Sequence, residues 1–274
     1  MAIEQSKGLA LITGAGRRLG AAIAEELAAQ GWTVALHCRQ SQHEADAVAA
    51  RITSRGGQAR VYAHDLDQLT GDTQTDSVSQ TPIQWLAGIE SDMKAPIGLL
   101  VNNASRFAFD VPETTTGPDL MAHYQTNLVA PVLLTQAFFA LRGGGQPQAP
   151  QSPVGCVINL LDQKLENLNP DFFSYTLSKA SLLTATQLMA KSFAPVLRVV
   201  GVSPGITLPS ADQTEAEFQK AHQMTPLGAS STANDIAQAV SWLASARAIT
   251  GVNLMVDGGQ HLLSSDRDVM FKIR

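Results

Sequence analysis

A glycine-rich turn between an apolar run and an alanine-rich stretch constrains the fold most strongly. Residues 8–13 (GLALIT) predict a buried strand, residues 13–20 (TGAGRRLG) a turn, and the next residues a helix to about Gln30. A strand, glycine turn and helix in this order bind phosphate groups, because glycines permit close backbone approach and the helix N-terminus offers free N–H groups. The alternative is a plain turn between strand and helix with no ligand.

Strand and helix signals alternate through the rest of the chain. Further strands are predicted at residues 32–37, 58–63, 97–101, 157–161, 197–202 and 253–256. Helices are predicted between them, at residues 43–55, 83–93, 119–141, 173–193 and 233–244. This order predicts one α/β domain over residues 1–274, with a Rossmann-type, doubly wound, mainly parallel sheet and helices on both faces. In such a sheet ligands bind beyond the carboxyl ends of the strands.

The segments between these elements are polar. Residues 67–82 and 143–153 are predicted to be exposed connections, and residues 208–224 a loop or short helix that covers a substrate. The tail after residue 262 has no clear pattern, and we expect it to pack on a neighbouring subunit.

Composition narrows the class of protein. Hydrophobic residues make up 45% of the 274 residues and charged residues 16%, and the formal net charge of −5 gives no reason to expect nucleic-acid or membrane partners. Cys38 and Cys156 each fall in or beside a predicted strand, which favours buried thiols over a disulfide or a metal site. With no membrane-length apolar run and no signal-peptide pattern, we expect a cytoplasmic protein that binds no metal.

Three residues near the fifth strand carry the predicted proton chemistry. Tyr175 and Lys179 are four residues apart, so they lie on one face of a helix, where the ammonium is expected to lower the tyrosine pKa towards neutrality. Asp162 follows the strand directly and is expected to face the same site. A tyrosine tuned in this way gives or takes a proton during catalysis.

The end of the second strand predicts the cofactor. Nicotinamide-binding folds that prefer NAD carry an acidic residue there, and this chain instead has Arg39 and Ser41. Both suit a 2′-phosphate, so the pattern favours NADPH over NADH. The alternative is that Arg39 is a solvated surface arginine.

Three other positions have two interpretations each. Asp65 is suited equally to an adenine amine and to capping the next helix. Phe107 is either a core plug or a ring that stacks on a flat ligand. Asn127 is either a solvated helix residue or one that holds a water or a backbone carbonyl near the site, and Pro131 is expected to bend the helix just beyond it.

Taken in order, TGAGRRLG, NNAS, Asn127, YTLSK and SPG resemble the short-chain dehydrogenase/reductase family from about Gly8 to Leu262. The resemblance implies a nicotinamide cofactor and a catalytic set of Asn127, Tyr175 and Lys179, usually within a homotetramer. It also implies a serine thirteen residues before the tyrosine, where this chain has Asp162.

With Asp162 in place of this serine, Arg18 in the turn and the segment NASRF, the chain resembles the pteridine reductase branch of the family. This branch includes bacterial dihydromonapterin and dihydrofolate reductases of that type. The branch implies a pterin stacked between nicotinamide and Phe107, with Arg18 and Ser105 contacting pterin and cofactor phosphates. Asp162 and Tyr175 would form the proton relay, Lys179 would hold the nicotinamide ribose, and Asn127 would support the lysine through water. The residues predicted to contact the cofactor are Gly14, Arg18, Leu19, Gly20, His37, Arg39, Ser41, Asp65, Leu66, Asn103, Ala104, Ser105, Tyr175, Lys179, Pro204, Gly205 and Ile206.

Two other functions remain open at this level. One is a short-chain carbonyl or 3-oxoacyl reductase in which Asp162 replaces the serine, although a carboxylate would repel alkoxide charge. The other is an NADPH-binding regulator without turnover, which the intact Asn127, Tyr175 and Lys179 argue against. Lys164 and Glu166 are charged where a pterin pocket favours apolar contacts, so we expect them to point to solvent or to meet a polar substrate group.

Overall fold

The computed structural model describes residues 7–69, 80–146, 148–209 and 214–272. Within them, one seven-stranded sheet has the order β3-β2-β1-β4-β5-β6-β7, and each pairing is parallel. The strands are β1 (Leu9–Ile12), β2 (Thr33–Cys38), β3 (Ala59–Ala63), β4 (Ile97–Asn102), β5 (Gly155–Leu160), β6 (Leu197–Pro204) and β7 (Asn253–Val256). The predicted doubly wound parallel sheet is confirmed.

Helices cover both faces of this sheet. They are α1 (Arg18–Ala29), α2 (Gln42–Ser54), α3 (Pro82–Met93), α4 (Gly117–Tyr124), α5 (Ala130–Leu141), α6 (Phe173–Ser192), α7 (Glu215–Gln223) and α8 (Ala233–Ser245). Short 3₁₀ turns lie at Leu66–Gln68, Gln163–Glu166, Gln260–Leu262 and Val269–Phe271. No helix in the described part of the chain has the length and apolar character needed to cross a membrane.

Two hydrophobic layers hold the helices to the sheet. Because side chains alternate along a strand, Ala10 and Ile12 face one layer while Leu9 and Leu11 face the other. The first layer contains buried residues of α1, α2 and α8, and the second contains those of α3, α5 and α6. Both cysteines are buried free thiols, as predicted.

The helix predicted at residues 119–141 is in fact interrupted. It starts earlier, at Gly117, where the Thr116 hydroxyl accepts from the Asp119 N–H, and a π-helical turn at Gln125–Val129 separates α4 from α5. Pro131 accounts for the break, because it has no N–H to give to the Asn127 carbonyl, which a regular α-helix would satisfy.

Two other boundaries differ in ways that shape the site. β6 continues through Ser203 and Pro204, which pair with β7, although the sequence predicted that this strand ends at residue 202. Proline is tolerated because β5 has already ended at its pairing with Val202, so no neighbour on that side needs the missing N–H. The stretches 70–79 and 210–213, inside two of the predicted loops, lie outside the described residues.

The C-terminal tail packs on its own chain. Residues 268–271 line the same cavity as the strand ends, so this segment contacts its own chain. Non-local ion pairs, described below, hold it there. A further contact with a neighbouring subunit stays a prediction.

Candidate active site

A cleft of about 1010 Å³ lies at the carboxyl ends of the strands. Every residue predicted to contact cofactor or substrate lines this cleft, and so do Asp162, Tyr175 and Lys179. Asn127, the remaining predicted catalytic residue, does not line the cleft, because its side chain is fully buried. The cleft is at the upper end of the usual range for small-molecule sites, which leaves room for a dinucleotide and a flat substrate together.

The glycine turn forms the floor of one end. Gly14 has a φ of +65°, and a Cβ there would lie 2.9 Å from the Ala104 backbone. A Cβ on Gly20 would collide with the Gly14 carbonyl. These two contacts explain why glycine is needed, and they leave the start of α1 open to a phosphate.

Arg18 occupies a left-handed conformation in this turn, with a φ of 52°. This backbone region normally favours glycine and costs other residues about 1 kcal/mol. The Arg18 guanidinium crosses the cleft and donates to the Pro209 carbonyl at 2.9 Å. The side chain is exposed and lines the cleft, where it is available to a negatively charged ligand group.

Asn103 and His37 stabilise the turn. The Asn103 amide donates to the carbonyls of Thr13 and Gly14, at 2.9 and 3.0 Å. The His37 ring accepts from the Gly14 N–H at 3.2 Å through Nδ1, and its Nε2 donates to the His64 carbonyl at 2.9 Å. Burial lowers the pKa of His37 to about 4, so the ring is neutral near pH 7. Both residues therefore hold the backbone that a cofactor would touch.

The end of β2 presents a cation and a hydroxyl. Arg39 is about half exposed and lies 3.7 Å from Asp67, an acidic residue that the sequence analysis did not single out. Ser41 precedes α2, but its side chain does not cap that helix, so the hydroxyl is not used there. Asp65 caps the following 3₁₀ turn by accepting from the Asp67 N–H at 3.2 Å, which favours the capping interpretation.

Asp162 and Tyr175 meet at the centre of the cleft. The Tyr175 hydroxyl donates to Asp162 Oδ2 at 2.8 Å, and the backbone N–H of Lys164 donates to Asp162 Oδ1 at 2.8 Å. The Lys179 ammonium donates to the Leu160 carbonyl at 2.6 Å. β5 and the start of α6 place these groups together, because the strand ends two residues before Asp162.

The expected tyrosine pKa is wrong for this structure. Burial, and then the charge and hydrogen bond of Asp162, raise the pKa of Tyr175 well above its ordinary value. Burial also raises the pKa of Asp162 and lowers that of Lys179 to about 8. Lys179 does not lower the pKa of Tyr175, because desolvation and the nearby Asp162 carboxylate both disfavour the phenolate form. Tyr175 is thus a protonated donor, and Asp162 is a carboxyl poised to hold a proton.

An aromatic wall stands beside this pair. Phe107 is 50% exposed, which excludes a core plug. Its ring stacks on Phe172 at 4.2 Å and meets Tyr175 edge-on at 4.7 Å. Phe109 and Phe271 extend the wall, each in ring contact with Phe172. A half-exposed ring beside the proton donors is suited to a planar ligand.

Asn127 supports the loop that carries Phe107. Its Oδ1 accepts from the Arg106 N–H at 2.7 Å and from the Ser105 hydroxyl at 3.2 Å. Its Nδ2 donates to the Arg106 carbonyl and to the Ser178 hydroxyl, both at 2.9 Å. The side chain is therefore committed to the loop and to α6, which matches the predicted hold on a backbone carbonyl. The support of Lys179 by Asn127 through water stays a prediction.

Lys164 does not point to solvent. It is 4% exposed and pairs with Asp268 of the tail, so the expectation that it points to solvent is wrong. Glu166 is exposed, as expected. Sequence reasoning also missed Phe172 and the tail residues of the wall. The adjacent phenylalanines just before YTLSK were the available signal for Phe172, whereas nothing local pointed to the tail.

The chain matches the family model described as Enoyl-(Acyl carrier protein) reductase over residues 14–261. The chain belongs to the short-chain dehydrogenase/reductase family. This short-chain reductase is thus an oxidoreductase of that family, as its motif order predicted.

Three similar proteins cover nearly the whole of this short-chain reductase. The structure of FolM Alternative dihydrofolate reductase 1 from Brucella suis in complex with NADP is 36% identical, with a TM-score of 0.82, and the match covers 94% of this chain and 97% of that one. Pteridine reductase 1 of Leishmania tarentolae is 27% identical over 288 residues, 96% of this chain and 99% of the relative. The angucycline C-6 ketoreductase LanV with bound NADP is 28% identical, with a TM-score of 0.80, over 94% of this chain and 96% of that one.

Proposed function

We propose that this short-chain reductase transfers hydride from NADPH to a pterin ring and converts a dihydropterin or dihydrofolate to its tetrahydro form. The observation that carries the proposal is the partly buried hydrogen bond between Tyr175 and Asp162, next to the half-exposed ring of Phe107. Reduction adds hydride to a ring carbon and a proton to the neighbouring ring nitrogen. The site therefore needs a proton donor that can face a nitrogen and a flat apolar surface, and it has both.

The fit of the cofactor rests on the glycine turn and on the end of β2. The turn excludes a Cβ at two positions, the α1 N-terminus lies above it, and Arg39 and Ser41 line the region where NAD-preferring folds carry an acid. The cofactor is NADP(H), in agreement with the NADP bound in the Brucella suis and LanV structures. When bound, it supplies the hydride.

Asp162 provides the proton in this scheme. Burial keeps its carboxyl protonated at a higher pH than an exposed aspartate, so it can donate to a ring nitrogen and remain bonded to Tyr175. Tyr175 passes its own proton towards the carboxylate that forms. Lys179 lies one turn along α6 and is assigned to the nicotinamide ribose, and its charge stabilises the negative charge left on the pair.

The substrate lies against Phe107, with Arg18 and Ser105 at the edge of the cleft as its polar contacts. The hydrogen bonds of Asn127 to the Arg106 backbone hold the 105–107 loop in the position that this stacking needs. The enzyme is proposed to work as a cytoplasmic homotetramer, which sedimentation of the purified protein would test.

A second candidate function is the reduction of a carbonyl compound. The similarity to the LanV ketoreductase favours it, since Tyr175 can also donate to a carbonyl oxygen. Asp162 argues against this candidate, because carbonyl reduction needs no carboxyl group beside the tyrosine. An NADPH-binding regulator without turnover is the third candidate.

One assay separates these candidates. The purified protein is mixed with NADPH and either a dihydropterin (dihydrofolate, dihydromonapterin or dihydrobiopterin), oxidised biopterin, or a panel of ketones and 3-oxoacyl thioesters, with NADH in parallel. We expect NADPH oxidation with a dihydropterin and much slower oxidation of NADH. Turnover confined to ketones would establish the second candidate, and cofactor binding without turnover on any compound would establish the third.

A further inference from the structure

Lys164 is a buried cation directly behind the carboxyl assigned as proton donor. Its own backbone N–H bonds to Asp162, and its ammonium donates to the Asp171 carbonyl at 2.6 Å and to Asp268 Oδ2 at 3.1 Å. The ammonium also lies 5.4 Å from the centre of the Phe172 ring. One side chain therefore joins the turn after β5, the loop before α6 and the C-terminal tail.

Asp268 is fixed in the tail by several contacts. Its N–H donates to Asp171 Oδ2 at 2.7 Å, and its own Oδ1 accepts from the Met270 N–H at 3.2 Å. Arg267 adds a second tether, because its Nε donates to the same Asp171 carboxylate at 2.8 Å. This local order also places Phe271 against Phe109 in the aromatic wall, with ring centres 5.2 Å apart.

The two charges of this pair act on Asp162 in opposite directions. The groups that face Asp162 are Tyr175 and Lys179 from α6, Lys164 from its own turn, and Asp268 from the tail. The Lys164 ammonium stabilises the ionised carboxyl of Asp162, whereas the Asp268 carboxylate favours its protonated form. The docked tail therefore cancels the charge that Lys164 would otherwise impose on the proton donor.

We propose that Lys164 and Asp268 are positioning residues of the active site, and that the docked C-terminal tail keeps Asp162 in the form that carries the transferred proton. This rests on the proposed function, in which Asp162 donates that proton. The lysine holds the turn in place, and Asp268 neutralises the lysine and brings Phe271 to the substrate wall.

The test compares the pH dependence of kcat for three variants. Asp268→Asn keeps the size of the side chain and one acceptor oxygen but removes the charge. The alkaline fall in kcat should therefore move to lower pH, so that kcat at a pH within this alkaline limb of the profile is about twofold to tenfold below that of the wild type. Lys164→Met removes the cation, and the same limb moves to higher pH. The double variant, K164M/D268N, returns close to the wild-type profile.

Arg267→Gln serves as the matched control, since it removes one tether of the tail but neither charge beside Asp162. We expect an unmoved alkaline limb for this variant. A purely structural role of the pair would lower kcat in all variants without moving the limb in opposite directions, and that result would overturn the proposal.

A second measurement keeps this result separate from the proposed function. Protein with ¹³C-labelled aspartate carboxyls is titrated by NMR as its NADP⁺ complex, with Asp162→Asn to assign the Asp162 signal. Opposite displacements of the Asp162 titration in Asp268→Asn and Lys164→Met are expected even if no pterin is turned over. Identical titrations in all variants would refute the positioning role, whatever the substrate.

Discussion

Replacing Asp162 by asparagine should separate pterin chemistry from carbonyl chemistry. The Lys164 N–H must still find an acceptor, so the asparagine oxygen turns towards it and the amide NH₂ faces the Tyr175 hydroxyl. The substitution keeps the shape, removes the transferable proton and reverses the hydrogen bond to the tyrosine. Tyr175 is then free to donate its own proton into the cleft.

The expected loss follows from the role of a general acid. Removing such a group lowers kcat by about 10²- to 10⁴-fold, or about 2.7 to 5.5 kcal/mol of transition-state stabilisation. Carbonyl reduction, which needs only Tyr175 as donor, should be retained or increased, because the variant removes the carboxylate whose charge and hydrogen bond contribute to the raised pKa of Tyr175.

Stability provides an independent readout of the same residue. Burial raises the pKa of Asp162 in the folded protein, so ionising it costs stability as the pH rises from its ordinary value towards the raised one. Asp162→Asn should therefore match the wild type in melting temperature at acidic pH and exceed it at pH 8.

Asp110→Asn is the matched control. Asp110 is a buried aspartate in which burial is outweighed by hydrogen bonds from Ser174, so its pKa is lowered. Removing that charge should destabilise the protein at pH 8, with a smaller effect on kcat. Steady-state kinetics with a dihydropterin and with a ketone, and calorimetry at pH 5 and pH 8, test all of this. Unchanged pterin kcat in Asp162→Asn would refute the proton relay.

Three further predictions concern the cofactor, the substrate and stability. Arg39→Ala should raise the KM for NADPH by about 10- to 100-fold while leaving NADH nearly unaffected, since a charge-assisted bond to the 2′-phosphate is lost; Arg55→Ala, an exposed arginine paired with Glu25 away from the cleft, should change neither constant. Phe107→Ala should lower kcat/KM for a dihydropterin by about 5- to 100-fold through lost stacking, with Phe107→Tyr close to wild type, and equal kinetics for all three would remove the stacked pose. Because the folded pKa of His37 is about 4, protonation of the unfolded chain should reduce the free energy of unfolding by about 2 kcal/mol between pH 7.5 and pH 5; urea titrations of wild type and His37→Asn should differ in this pH slope, and identical slopes would contradict a neutral buried ring.

The sheet and the cleft were predictable because both depend on local signals. Apolar runs such as 9–12 and 157–160 are short, bounded by turn residues and separated by helical stretches. Parallel connection of such units brings every strand end to one edge, so residues following the runs necessarily converge. Asp162 and Ser105 were found in this way, without any long-range information.

The rest depended on burial and non-local contacts. Lys164 resembles a surface residue in the sequence, and only its pairing with Asp268, more than a hundred positions away, allows it to be buried. The direction of the Tyr175 pKa could not be predicted from its spacing to Lys179, because it depends on how completely the site is desolvated. A bend was expected at Pro131, but the interruption by a π-helical turn and the contacts of the Asn127 side chain could not be predicted from the sequence.

The most direct test follows the hydride itself. NADPH deuterated at both C4 positions is reacted with dihydrofolate or dihydromonapterin, and the reduced product is analysed by mass spectrometry. The account predicts a tetrahydropterin that carries one deuterium per molecule, with the rate of its formation lost in Asp162→Asn. A pterin recovered without deuterium, while a ketone in the same assay gains it, would contradict the account and establish the carbonyl reductase.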